Sequence, residues 1–140
     1  MSAREVVSAV LYNARGEVLL QLRDDKPHLP FANHWTLFGG HVEAGETPDE
    51  AIARELWEEL TLKLPLTRWR SYVCPVRSVD GVSRTTNHVY RGELRHDHAA
   101  LTLREGQAMR YFTPREAANI TLAFGQIFLL HEFFGTKLDE

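Results

Sequence analysis

Glu55, Glu58 and Glu59 are spaced i, i+3 and i+4, so on a helix their carboxylates gather on one surface, where like charges repel by about a few tenths of a kcal/mol per pair. Arg54 is the only cation within that turn, and a divalent ion would neutralise the cluster better than one guanidinium. Ligands that are all carboxylate oxygens favour hard ions, Mg2+ first and Mn2+ as its substitute. Three glutamates alone are more often the face of a solvated acidic helix, so the surroundings must decide. Upstream, Thr47-Pro48-Asp49-Glu50 combines a Thr N-cap, a Pro at the first helical position and a Glu where a capping box needs it, which predicts a helix running to about Leu60. At 100° per residue, Ile52, Ala53, Leu56, Trp57 and Leu60 fill an arc of about 140°, and the glutamates a separate arc of about 100°. One face packs and another carries acid.

From Gly40 the chain runs five residues to Glu46, seven more to Arg54-Glu55-Leu56, then Trp57, Glu58-Glu59, Leu60, Thr61 and Leu62. This spacing resembles the signature of Nudix hydrolases, departing from it at Thr61, where the family usually has the glycine that closes the helix. Phe38-Gly39-Gly40 stands for the family's common Pro-Gly-Gly, and Leu103–Phe112 followed by Thr113-Pro114-Arg115-Glu116 is similar to the late strand and helix of MutT-type members. The resemblance covers roughly Val6 to Phe134. It implies an α+β fold, an α/β/α sandwich with a mixed β-sheet, and hydrolysis of a nucleoside diphosphate linked to another group X with a divalent metal. A MutT-type nucleoside triphosphate pyrophosphohydrolase is the neighbouring alternative; a nucleotide-sensing module without catalysis is disfavoured because every motif glutamate is present.

The same resemblance implies Glu55 and Glu59 as principal metal ligands, with Glu58 as a further direct or water-mediated one and the Gly39 backbone carbonyl as another. Glu46 and Arg54 would orient these carboxylates. Glu105, in Glu105-Gly106-Gln107 ahead of a strand, is similar to the loop glutamate that completes the metal site or assists the water in MutT-type enzymes. Either Glu59 or Glu105 would then take the proton. Arg23 resembles a phosphate-contacting arginine, and Gln126 stands near the place of a base-reading amide. No Ser, Cys or Lys stands in a nucleophile motif, which favours water attacking directly, and the complete glutamate set resembles members whose water attacks phosphorus.

The elements that must position these residues are legible in outline. Val6–Tyr12 and Val18–Arg23 read as a hairpin around Asn13-Ala14-Arg15-Gly16, its first strand apolar on both faces and therefore central. A loop from Asp24 to His34 precedes a short strand, Trp35–Phe38, that is expected to break at Gly39-Gly40. Thr67–Ser78 and Ser83–Arg95 flank Asp80-Gly81, a favoured hairpin dipeptide, and Pro75 asks for an edge or a bulge. Gln107–Phe112 predicts a further strand, the repeated Thr-Pro-x-Glu a short helix, and Phe124–Phe134 a final amphipathic one.

With 140 residues, a single domain over 1–140 is expected. The formal charge of −3, from 16 Lys+Arg and 19 Asp+Glu, argues against nucleic acid or acidic membranes as partners and for a small-molecule nucleotide captured locally. One cysteine, Cys74, excludes an internal disulfide and suits a cytoplasmic location. His96 and His98 alternate as strand ligands would, but without fixed Cys or carboxylate partners a zinc site is not expected. No run reaches the ~20 apolar residues of a membrane span. A homodimer, common among such proteins, is compatible with all of this.

Overall fold

The computed structural model describes residues 4–78, 81–95 and 101–135, with only the backbone at 74–78 and 82–83. Strand β1 (Arg4–Tyr12) is the axis of a seven-stranded mixed sheet. Along one edge it pairs in parallel with β6 (Gly81–Glu93), from Arg4 opposite Thr85 to Tyr12 opposite Glu93. Its other edge is shared. Val6–Ala9 pair with β4 (Phe38–His41), and Leu11 and Tyr12 pair with β2 (Val18–Leu22). Strand β2 also carries β3 (Trp35–Thr36) and β7 (Ala108–Phe112), while β5 (Thr67–Ser78) lies outermost beyond β6.

A central strand must be apolar on both sides, and β1 is. Val7, Ala9 and Leu11 enter one core with Ala51, Ile52, Leu56 and Leu60 of helix α1 (Pro48–Leu60). Val10 enters the other, with Ala117 of α2 (Pro114–Ala117) and Leu129 and Leu130 of α3 (Ile127–Phe134). Covering both faces of one sheet produces the α/β/α layering. Both Thr-Pro-x-Glu sequences form the reciprocal capping box: Thr47 Oγ1 accepts from Glu50 N and the Glu50 carboxylate from Thr47 N, and Thr113 and Glu116 repeat it. Among the described residues no helix is long and apolar enough to cross a membrane.

Several boundaries differ from expectation. The segment Trp35–Phe38 is two strands, changing partner from β2 to β1 at Leu37. Gly39 and Gly40 do not end a strand but lie within β4, and both positions need glycine because neighbours press where side chains would be. A Cβ on Gly39 would stand 1.9 Å from the Val7 carbonyl oxygen, and one on Gly40 2.4 Å from the Glu55 carboxyl carbon. The final helix starts at Ile127 rather than Phe124, since a 3-10 turn at Ala123–Gly125 with Phe124 at φ 57° precedes it. Pro75 does fall on the edge strand β5, but the register shift comes earlier, between Arg68 and Arg70. Asp80, His96 and His98 lie outside the described residues, as does the side chain of Cys74.

Candidate active site

The last two turns of α1 lie over β4, and the missing side chain of Gly40 leaves the space that the Glu55 carboxylate fills. One turn on, Glu59 is 1% exposed and fixed at both oxygens. Gly39 N donates to Oε1 at 3.1 Å and Gln21 Nε2 donates to Oε2 at 2.8 Å. Burial pushes the Glu59 carboxyl up to about 9; the Gln21 hydrogen bond opposes the rise and the charges of Glu105 and Glu55 reinforce it. Burial likewise raises Glu55, against the opposing bond from Arg54.

Arg54 connects the set. Its Nε and Nη2 bond the two oxygens of Glu46 at 2.7 and 3.0 Å, a bidentate fork. Nη1 bridges Glu55 Oε1 at 3.0 Å and Glu58 Oε2 at 3.2 Å, and Nη2 also reaches the His41 carbonyl at 2.9 Å. The Arg54 hydrogen bond holds Glu46 down at about 2, helped by the amide of Glu43. Glu58, 56% exposed, is therefore turned onto the guanidinium. Among the described residues no three His, Cys, Asp or Glu side chains are gathered closely enough to hold a metal as they stand. The donor set nevertheless fits a hard divalent cation: every donor is oxygen, and the buried acid lacks a cation of its own.

Glu105 is exposed yet close enough for its charge to act on Glu59, and the neighbouring Arg104 N donates to the Glu59 carbonyl at 2.8 Å. The segment before β7 is thus tied to the end of α1. Arg23 directs Nε to the Pro30 carbonyl at 2.9 Å and stands over the Phe124 ring. Gln126 is buried, and its Oε1 accepts from Thr36 Oγ1 at 3.1 Å and from Leu37 N at 3.0 Å, so only its Nε2 is left for a ligand. Sequence reasoning missed Gln21. Its signal was a lone amide inside the apolar run Val18–Leu22, and a buried amide needs a partner.

A family model described as NUDIX domain matches residues 2–133. The chain belongs to the NUDIX family. The nucleoside triphosphatase NudI of an Enterobacter species is 30% identical to this NUDIX chain over 92 residues, covering 64% of each. NudI of Escherichia coli is 39% identical over 67 residues, or 48% of this chain and 46% of that protein. The matches therefore take in about half to two-thirds of the curated relatives' length. In three dimensions, the NUDIX chain is similar to the Escherichia coli dihydroneopterin triphosphate pyrophosphohydrolase, with a TM-score of 0.75, 25% identity and coverage of 93% and 94%. These named relatives are hydrolases, and the sandwich with a mixed sheet is the fold this chain shares with the pyrophosphohydrolase.

Proposed function

We propose that this NUDIX domain, acting as one domain over residues 1–140 in the cytoplasm, hydrolyses the phosphoanhydride of a nucleoside diphosphate linked to X with Mg2+, or Mn2+ in its place. The observation that carries the reading is the buried Glu59 carboxylate, fixed by Gln21 and Gly39 and crowded by Glu55 and Glu105. Such an arrangement costs the metal-free fold and is paralleled where a cation is meant to sit. The names of the relatives favour nucleoside triphosphates among the substrates.

Glu55, Glu58 and Glu59, with the Gly39 carbonyl, would hold the ion, and Glu55 and Glu58 would leave Arg54 Nη1 to do so. Arg54 keeps its fork on Glu46 throughout. The ion supplies positive charge opposite the phosphoryl oxygens and makes water a better nucleophile. Glu59 has both oxygens engaged, whereas Glu105 makes no hydrogen bond or ion pair among the described residues. Glu105 is therefore the better acceptor for the water's proton. Water oxygen bonds to phosphorus, the anhydride P–O bond breaks, and the leaving phosphate departs with that electron pair.

A panel of nucleoside triphosphates, nucleotide sugars, ADP-ribose and dinucleoside polyphosphates, with and without Mg2+, tests this. Triphosphates should give NMP and pyrophosphate, nucleotide sugars NMP and sugar phosphate. In 18O-labelled water the label should appear on a phosphoryl group. Label on a sugar carbon with intact nucleoside diphosphate released would refute attack at phosphorus, and binding without turnover would make the domain a sensor.

A further inference from the structure

Among the described residues, four other than glycine have positive φ: Phe31 at 54°, Asn33 at 61°, Thr61 at 53° and Phe124 at 57°. Asn tolerates that region and Thr61 caps a helix, but an aromatic residue gains nothing from it locally. Phe31 and Phe124 are also 44% and 43% exposed. They come from the loop before β3 and from the turn before α3, and they meet with ring centroids 4.6 Å apart at 58°. The fold thus leaves nearly half of each of two large apolar rings in water on backbone that most residues avoid. Strain of this kind collects where a ligand is gripped.

The chemistry beside the rings is polar and open. Arg23 lies with its guanidinium carbon 5.0 Å from the Phe124 centroid. Apart from the Nε bond to Pro30, its Nη1 and Nη2 make no hydrogen bond or ion pair among the described residues. Gln21 of β2, the amide that holds Glu59, lies two residues before Arg23, which follows the strand's last residue and donates its backbone N–H to the His34 carbonyl at 2.9 Å. Thr36, paired with Gln21 across the sheet, is bonded to Gln126. Gln126 in turn follows Phe124 by two residues. Hydrogen bonds and strand pairing through Gln126, Thr36 and Gln21 thus link the segment that carries Phe124 to the Glu59 carboxylate.

We propose that Phe31 and Phe124, extended by the planar guanidinium of Arg23, form the stacking platform for the heteroaromatic base of the nucleotide substrate. The assignment rests on the nucleotide reading above. It gives Arg23 a place against the ring of the substrate in place of the phosphate contact expected from sequence. A π face attracts any base, and a guanidinium over an aromatic ring stacks on one as well.

Phe124→Leu keeps the apolar bulk and removes the π face; Phe124→Gly removes the ring and the strained conformation together. Each, and the same pair at Phe31, should raise KM for a nucleoside triphosphate by about 10-fold or more, while kcat and the hydrolysis of inorganic tripolyphosphate stay unchanged. Phe124→Tyr should restore KM. An unchanged nucleotide KM, or an equal loss on tripolyphosphate, would overturn the platform. Titration of chelator-treated protein with a nucleoside monophosphate, followed by NMR, separates this from failure of hydrolysis. Shifts at Phe31 and Phe124 that vanish in Phe124→Leu support stacking even if no nucleotide is cleaved. Absence of shifts at either ring refutes it.

Discussion

Glu46 and Glu59 are two carboxylates of one site pushed in opposite directions. Glu46, bound by the Arg54 fork, is held at about 2, below its unfolded value of 4.5. Its contribution to stability is present above about 4.5 and lost as pH falls towards 2, so Glu46→Gln should flatten the acid limb of a Tm–pH curve. Glu59 is raised to about 9. Its contribution is complete below 4.5 and lost as pH rises through 9, so chelated protein should melt at falling temperature from pH 5 to 9. Mg2+ should cancel that fall; a flat curve in chelator would show that Glu59 ionises without penalty. For catalysis, Glu59→Gln should lose ~10³ in kcat with the fold retained, about 4 kcal/mol of transition-state stabilisation. Glu105→Gln should slow turnover ~10²-fold and change the pH–rate profile; an unaltered profile would take the proton acceptor's role from Glu105. The motif carboxylates were legible because one helix carries them at fixed spacing. Gln21, 38 residues from Glu59, was not: only the strand–helix contact joins the two, and local sequence carries no record of it.

Elements differ in how plainly they are encoded. Helix α1 announces itself through Thr47-Pro48-Asp49-Glu50, a local signal satisfied by local hydrogen bonds. Its other end was read as the place where the motif departs from glycine, and Thr61 takes the glycine-like conformation nonetheless, φ 53° and ψ 44°. A β-branched residue pays for that shape, so Thr61→Gly should stabilise the protein by about 1 kcal/mol in chemical denaturation. The Trp35–His41 segment was harder, since which neighbour a strand pairs with is decided by tertiary contacts. Its two glycines look alike in sequence and answer different demands. Gly39→Ala drives a methyl into the backbone of β1 and should leave little folded protein. Gly40→Ala meets only the movable end of Glu55, so circular dichroism should be retained while metal affinity and kcat fall. Equal folding losses in the two variants would contradict this division. The kink at Phe124 likewise escaped notice, because the apolar pattern of the last helix continues through it.

For the molecule as a whole, the amphipathic helix, the apolar first strand and the turn dipeptides indicated a layered domain of helices on a sheet, and the motif resemblance made it three layers, whereas the partner of each strand was not readable. The parallel pairing of β1 with β6 has a kinetic consequence. It joins residues about 80 positions apart, a high contact order whose loop-closure entropy must be met before the pairing is rewarded. Helix α1 can form early from its own capping signals, but Glu59 acquires its surroundings only when β2, β4 and the 104–105 loop have docked around it. In refolding, far-UV ellipticity should therefore recover ahead of Mn2+ binding read by water-proton relaxation, and the delay should lengthen when β1–β6 pairing is weakened. Assembly thus runs from the acidic helix outward: the chain is born carrying its charges in the open and gains the grip on them last.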